Sequence, residues 1–494
     1  MPTASETVGH LRGDKTFPEA AKTEIYNATQ RRNLYHATHT IRNKRNRVIE
    51  EADDWQQLRE AGSQIKRYTL RHLPELLEQF EAQVTARGGH VHWARDAEEA
   101  GKIVTELVKK TGEKKVVKIK SMATMEIGLN DQLKAAGIDA RETDLAELIV
   151  QLGKDKPSHI LVPAIHRNKA EIRDIFVREM PHTDESLQAN PPELAEASRV
   201  FLRQQFMEAK VAISGANFGI AETGTVTIVE SEGNGRMCLT LPETLISVMG
   251  IEKILPTFQD YEVLLQLLPR ASTGERMNPY TSLWSGVTEG DGPQNFHIVL
   301  VDNGRTRALS NEIGREALKC IRCSSCLNVC PVYERAGGHA YGSTYPGPIG
   351  AILTPQLTGM ESAHDPNASL PFASTLCGAC YDACPVKIDI PSILVELRHQ
   401  KVEEHRPKIE GVMMGAMGMT YGNAKIWNMA CRAAAFGRVA GFGSGKIRHL
   451  PSFLAGWTDF RDVALPPKKS FREWFNSDEA KELLKEVSPN NDER

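Results

Sequence analysis

The feature that most constrains this chain is a run of four cysteines, Cys320-Ile-Arg-Cys323-Ser-Ser-Cys326-Leu-Asn-Val-Cys330-Pro331. Its pattern, C-x2-C-x2-C-x3-C-P, is the spacing with which bacterial-type ferredoxins hold iron–sulfur clusters. Each iron of a cubane is tetrahedral and takes one thiolate from the protein. Two-residue gaps let a short loop place three thiolates round one cube while its backbone N–H groups face the sulfurs. The three-residue gap and Pro331 carry the fourth cysteine away, toward the second cluster of a two-cluster site. A second motif meets that demand: Cys377-Gly-Ala-Cys380-Tyr-Asp-Ala-Cys384-Pro385.

The second motif is incomplete, because its first position falls at Ser374. Crossed ligation assigns Cys320, Cys323, Cys326 and Cys384 to a first, [4Fe–4S] cluster. Cys330, Cys377 and Cys380 go to the second, which leaves one iron without a thiolate. That cluster is either [3Fe–4S], or [4Fe–4S] with its last iron on Ser374, water or a partner's ligand. A zinc ribbon explains two C-x2-C pairs, but neither the third evenly spaced cysteine nor the two Cys-Pro endings. Seven of the nine cysteines lie between Cys320 and Cys384, so chance clustering is excluded.

Composition sets wide bounds. At 494 residues the chain suggests about three domains, and 41% hydrophobic with 25% charged residues is ordinary for globular proteins. A net charge of -3 argues against a general polyanion binder, and 6% aromatics offers little surface for base stacking. No nucleic-acid partner is expected. The opening residues carry no apolar core of a secretory signal, and no run of about 18 uncharged apolar residues suggests a transmembrane segment. Without export features disulfides are not expected, and a cytoplasmic location follows.

Residues 1–75 read as a helical, polar N-terminal extension. Its basic residues Arg31, Arg32, Arg42, Lys44, Arg45 and Arg47 are followed at once by Glu50 and Glu51, the pattern of a solvated helix face or docking arm, with no specific role assigned. Residues 76–305 alternate helices and apolar strands: helix 73–85, strand 90–93, helix 97–110, strand 116–119, helix 126–136, strand 138–142, helix 146–152 and strand 160–163. That alternation predicts an α/β domain with a mostly parallel sheet, whose ligands sit at the carboxyl ends of strands. Gly215, Gly219 and Gly224, with Glu222 and Thr223, are candidates for an anion-binding turn, weighed evenly against simple sheet packing. Ser121 and Glu126 are similar candidates, with a helix N-terminus as the plainer reading. His159 and His166 read as strand-end histidines rather than metal ligands.

A linker is expected at 304–309, then a cluster-bearing domain at 306–400 with a helical approach over 311–319. The long insert 331–376 points to the α-helical ferredoxin type, in which helices flank each cysteine loop. Pro391 suits the first turn of a helix over 392–401. In the tail, 401–494, Met413, Met414, Met417 and Met419 read as buried helix packing, against the alternative of an adaptable partner or peripheral membrane-surface contact. Cys238 and Cys431 read as core cysteines.

The two cysteine motifs, the glycine-rich stretch 214–225 and the closing stretch 461–474 together resemble the lactate-utilization iron–sulfur protein family. This is the B component of a three-protein bacterial system that oxidises L-lactate to pyruvate. The resemblance covers nearly the whole chain. It implies a LUD-type α/β domain, similar in fold to sugar-phosphate isomerases and CoA transferases, followed by a ferredoxin domain. It further implies an electron carrier working with the two other proteins of the system, with donor and acceptor unspecified. The competing reading is a self-contained 2-hydroxy-acid dehydrogenase or Lewis-acid enzyme using the open iron of cluster two. Against it, no flavin or nicotinamide fingerprint is visible in the sequence to accept a hydride.

Overall fold

The computed structural model describes residues 9–181, 183–360, 362, 365–404, 408–441, 445–450, 452–458 and 461–487. The chain divides into two compact units, Met1–Glu403 and Glu404–Arg494. Among the described residues the first contains ten strands: β1 Gly89–Ala94, β2 Lys115–Lys118, β3 Asp139–Glu142, β4 Val211–Gly215, β5 Phe218–Ile220, β6 Thr225–Glu230, β7 Thr244–Gly250, β8 Ile254–Leu255, β9 Tyr280–Trp284 and β10 Asn295–Val301. Six form one wholly parallel sheet in the order β1-β10-β7-β4-β2-β3. A smaller sheet, β8-β5-β6-β9, stands beside it.

The sequence of the central strands follows from burial on both faces. β7 and β10 are nearly unbroken apolar runs, as a parallel sheet covered on both sides requires. Successive side chains point to opposite faces. Leu245 and Met249 therefore join Phe80 and Val84 on one side, while Ile246 and Val248 meet Val104 and Leu133 on the other. The helix Ala97–Lys110 is capped by Asp96, whose carboxylate accepts from the Glu99 N–H at 2.9 Å.

Three local expectations are corrected. The helix expected over 126–136 is two helices, Met122–Glu126 and Leu129–Ala135, separated where Gly128 turns left-handed at φ 64°. The strand expected at 160–163 is a turn: Pro163 offers no N–H to a ladder, and the Leu161 and Val162 N–H groups both donate to His159 Nδ1 at 3.1 Å. The linker expected at 304–309 is instead the helix Arg305–Ser310, anchored by the buried Arg305.

Helices dominate the rest of this unit. Phe17–Glu24, Ala28–Glu50 and Trp55–Arg71 precede the sheet, and Glu312–Leu318, Ser325–Asn328, Pro331–Ala336, Gly347–Thr358, Ala379–Ala383 and Ile390–Glu404 surround the cysteines. Ala28–Glu50 packs on both Ser325–Asn328 and Pro331–Ala336, with Leu34 and Thr38 wholly buried in the contact. One apolar core runs through this assembly and holds Leu34, Trp55, Leu264 and Ile352 together with five of the cysteines.

The second unit contains the helices Lys408–Gly422 and Ala424–Ala434, a short antiparallel pair, Lys446–Ile447 with Val463–Ala464, and the helices Phe471–Phe475 and Asp478–Val487. Met414, Met417 and Met419 are exposed rather than buried and Met413 is half-buried, since no described side chain over 411–422 is covered by its surroundings. Cys431 is half-buried rather than a core residue; Cys238 is fully buried.

Candidate metal centre

The two cysteine motifs fold into loops of the same shape. In the first, Arg322 and Ser324 flank Cys323 in the left-handed region, at φ 62° and 63°. In the second, Leu376 and Gly378 flank Cys377 at φ 56° and 84°. A one-turn helix follows each, Ser325–Asn328 and Ala379–Ala383, and each ends on an extended cysteine before proline, Cys330 and Cys384. Left-handed backbone at arginine, serine and leucine is costly. Here it turns the Arg322 N–H toward Cys320 Sγ at 3.4 Å, and beyond each Cys-Pro ending the Tyr333 N–H donates to Cys330 Sγ at 3.4 Å and the Ile388 N–H to Cys384 Sγ at 3.3 Å.

The loops exchange their last cysteines. Cys320, Cys323, Cys326 and Cys384 line a single cavity whose other walls include Ile160, Ile349, Val386 and Ile388. Burial pushes the Cys323 thiol up to about 12, and the neighbouring sulfurs of Cys384 and Cys320 add to the shift. The Cys380 thiol is likewise pushed up to about 12 by burial, and then by Cys330 and Cys377. The sulfurs thus fall into two groups, each drawing from both motifs. Cys320 is half-buried, Cys377 is exposed and the other five are buried.

These residues fit an iron–sulfur cluster. Crowded, buried thiolates repel one another and lose their hydration, so the ionised set requires a cationic core between them. Converging soft ligands, N–H donors to sulfur and aliphatic walls are the surroundings such clusters occupy.

Two members of the N-terminal basic group, Arg42 and Arg45, hold the loops in place together with Arg59 of the next helix. Arg42 donates to the Asn328 carbonyl from Nε at 3.1 Å and Nη2 at 2.7 Å. Arg45 Nη2 reaches the Ala383 carbonyl at 3.0 Å, and Arg59 donates to the carbonyls of Cys384 at 2.9 Å and Tyr381 at 3.1 Å. These acceptors belong to the C-terminal turns of the two short helices or the residue just beyond, where carbonyls lack intrahelical partners and cations are favoured. The signal was present as Arg42 and Arg45, but nothing in the sequence identifies Arg59 or the distant carbonyls.

The carboxyl edge of the sheet is filled by a buried charge network that ends at the first loop. Arg305, just after β10, pairs with Glu126 at 2.8 and 2.9 Å and with Glu252, just after β7, at 2.5 Å. Glu252 also meets Arg322 at 3.2 Å, and Tyr345 donates to Glu126. The arginines hold the Glu252 and Glu126 carboxyls below their usual range despite complete burial. Glu126 is therefore an ion-pair partner rather than a ligand-binding residue, and Ser121 caps the helix Met122–Glu126.

The other candidates are structural. A Cβ on Gly215 would meet Ser121 Oγ, one on Gly219 would meet Met249, and Gly224, at φ 65°, abuts the backbone of Val84. The turn is shaped for packing, and Glu222 accepts from the Phe258 N–H at 2.9 Å. His159 is buried and bonded to Asn328 at 3.2 Å. His166 bridges Ser158 at 2.7 Å and Asp155 at 2.8 Å, and the Tyr333 hydroxyl donates to the Ser158 carbonyl at 2.7 Å. Sequence reasoning missed a carboxyl-rich group beyond β3: Lys118 pairs with Glu142 at 2.6 Å, and burial followed by Glu142 raises Glu147 to about 8.

Residues 77–301 match the LUD domain family, 316–388 the 4Fe-4S dicluster domain and 396–480 the C-terminal domain of Lactate utilisation protein B. Fold and site together define a LUD-domain protein with a 4Fe–4S dicluster domain. Lactate utilization protein B of Oceanobacillus iheyensis is 43% identical over 471 residues, covering 94% of this chain and 96% of that protein. The Bacillus subtilis protein of the same name is 42% identical over 482 residues, covering 96% and 98%. The chain belongs to the lactate utilization protein B family. A solved structure of a DUF162 family protein from Deinococcus radiodurans, 16% identical, aligns over 46% of this chain and 98% of that one at a TM-score of 0.27, too weak a likeness to bear on the fold. Among the described residues no helix is long and apolar enough to cross a membrane.

Proposed function

We propose that this protein relays electrons from L-lactate oxidation to a downstream acceptor, as one member of a three-protein, cytoplasmic system. The observation that carries the reading is the exchange of Cys330 and Cys384 between the two loops, which makes the two sulfur groups neighbours. Cluster one is assigned to Cys320, Cys323, Cys326 and Cys384, and cluster two to Cys330, Cys377 and Cys380. Bound iron–sulfur clusters would supply one-electron transfer.

The chain's own residues set the path. Ile160, Ile349, Val386 and Ile388 keep water from the first sulfur group. Arg45 and Arg59 lie against it and favour added negative charge. At the second group Cys377 is exposed, and so are its neighbours Phe372, Leu376 and Tyr381. That face is where a redox partner would approach, so cluster two is the port and cluster one the interior store.

The test is an anaerobic mixture of the holoprotein with the other two proteins of the system and L-lactate. Cluster bleaching and electron paramagnetic resonance signals that require all three proteins support the relay. Lactate-dependent dye reduction by this chain alone would replace it with the self-contained dehydrogenase.

A further inference from the structure

Resting on the assignment of cluster two to Cys330, Cys377 and Cys380, we infer that Ser374 Oγ is the fourth protein ligand of that cluster. The inference comes from the repetition of the two loops rather than from their sequence, which at this position differs. In the first loop the residue two positions after the leading ligand, Arg322, is left-handed and donates its N–H to Cys320 Sγ at 3.4 Å. In the second, Leu376 is left-handed at φ 56° and donates its N–H to Ser374 Oγ at 3.1 Å. Every other ligand position has its counterpart: Cys323 with Cys377, Cys326 with Cys380 and Cys330 with Cys384. The serine hydroxyl therefore takes the place in its loop that the Cys320 sulfur takes in the other.

The surrounding residues hold the segment that carries this oxygen and set a cation on its backbone. Arg398 donates to the Ser374 carbonyl at 3.2 Å and to the Pro371 carbonyl at 2.8 Å, pinning the segment on both sides of the serine. Its guanidinium also lies over the Phe372 ring. A cation next to the ligand segment lowers the cost of an alkoxide. On ligation the serine O–H bond breaks and an Fe–O bond forms. A hydroxide otherwise held at that corner leaves as water, carrying the serine proton. Cluster two is then a complete [4Fe–4S] cube with one oxygen ligand, and no iron corner is open to substrate.

The test uses the full-length protein reconstituted anaerobically with iron-57 and sulfide. In the dithionite-reduced wild type, Mössbauer spectra should show one oxygen-ligated iron site, and electron–nuclear double resonance in oxygen-17 water should show no exchangeable oxygen on cluster two. Ser374→Ala should gain that water signal and lose one iron on brief air exposure, giving a [3Fe–4S] resonance. Ser374→Cys should keep four irons and shift the reduction potential of cluster two while that of cluster one stays put. An oxygen-17 coupling in the wild type would overturn the inference, as would a Ser374→Ala protein spectroscopically identical to it. A wild-type cluster two that stays [3Fe–4S] in excess ferrous iron would do so too. A wild type without acid-labile sulfide would strike the cluster assignment itself, and this inference with it.

Discussion

Arg59 Nε donates to the carbonyl of Cys384 at 2.9 Å, across 325 residues of sequence. The N-terminal helices thereby brace the two cysteine loops. The Arg59 guanidinium also reaches Tyr381 at 3.1 Å and Gln56 at 2.9 Å, in a nearly buried position.

Removing this guanidinium takes one charged donor from each of two carbonyls, Cys384 and Tyr381, which keep only their backbone partners Lys387 and Cys384. Hydrogen bonds to charged groups contribute about 1.5–3 kcal/mol each. Arg59→Ala is expected to lose cluster-one absorbance at lower temperature than the wild type, and Arg59→Lys to rescue only part of the loss, since an ammonium lacks the planar fork. Thermal bleaching of the visible spectrum measures both.

Arg305 is the centre of the buried network joining the sheet to the first loop. Both it and its partners Glu126 and Glu252 are almost inaccessible, at 2%, 1% and 1%. Removing one member of such a pair costs about 3–5 kcal/mol, because the remaining charge is stranded. Arg305→Met should therefore lower the denaturation midpoint sharply. Arg305→Met combined with Glu126→Gln should recover part of the loss, since Glu252 keeps Arg322 as a partner, and chemical denaturation of the two proteins makes the comparison.

His159 sets an acid limit. Burial lowers its pKa to about 3, although the bond to Asn328 opposes the shift. Nδ1 accepts two backbone N–H bonds and must stay unprotonated. The unfolded imidazole binds a proton below its ordinary value of about 6.5 while the folded one does not. Stability is accordingly full above that value and falls as pH drops from about 6.5 toward 3. Each unit of displacement is worth about 1.4 kcal/mol. His159→Gln should show a shallower loss between pH 6.5 and 4 in unfolding titrations.

Exchange of cysteines between loops has a direct consequence for iron content. Cys384→Ser should destroy the cluster built on Cys320, Cys323 and Cys326, although it lies in the other motif. Cys238→Ser and Cys431→Ser should leave iron and sulfide unchanged, since neither belongs to the two motifs and the Cys238 thiol is buried against Thr143. Iron and acid-labile sulfide analysis distinguishes these outcomes.

Much of this protein is legible in its sequence because the relevant constraints are local. Cysteine spacing, a Cys-Pro ending and left-handed turns are matters of a few residues, so the paired loops could be read directly. Strand–helix alternation likewise announced the parallel sheet, since burial on both faces demands continuous apolar runs such as β7 and β10. Where only long-range contact decided, the sequence was silent or misleading. Arg42 and Arg45 look like part of a solvated face, and Arg59 carries no signal at all, until the Asn328, Ala383 and Cys384 carbonyls come within 3.1 Å of them. Arg305 falls in a stretch that reads as a linker, and becomes a buried anchor only when Glu126 and Glu252 converge on it. Ser374 is one of several candidates for the last iron in the sequence, and only the folded loop sets its oxygen where the other loop holds a sulfur. Charge pairing and ligand geometry act through space, and partners hundreds of residues apart leave no pattern in the chain between them.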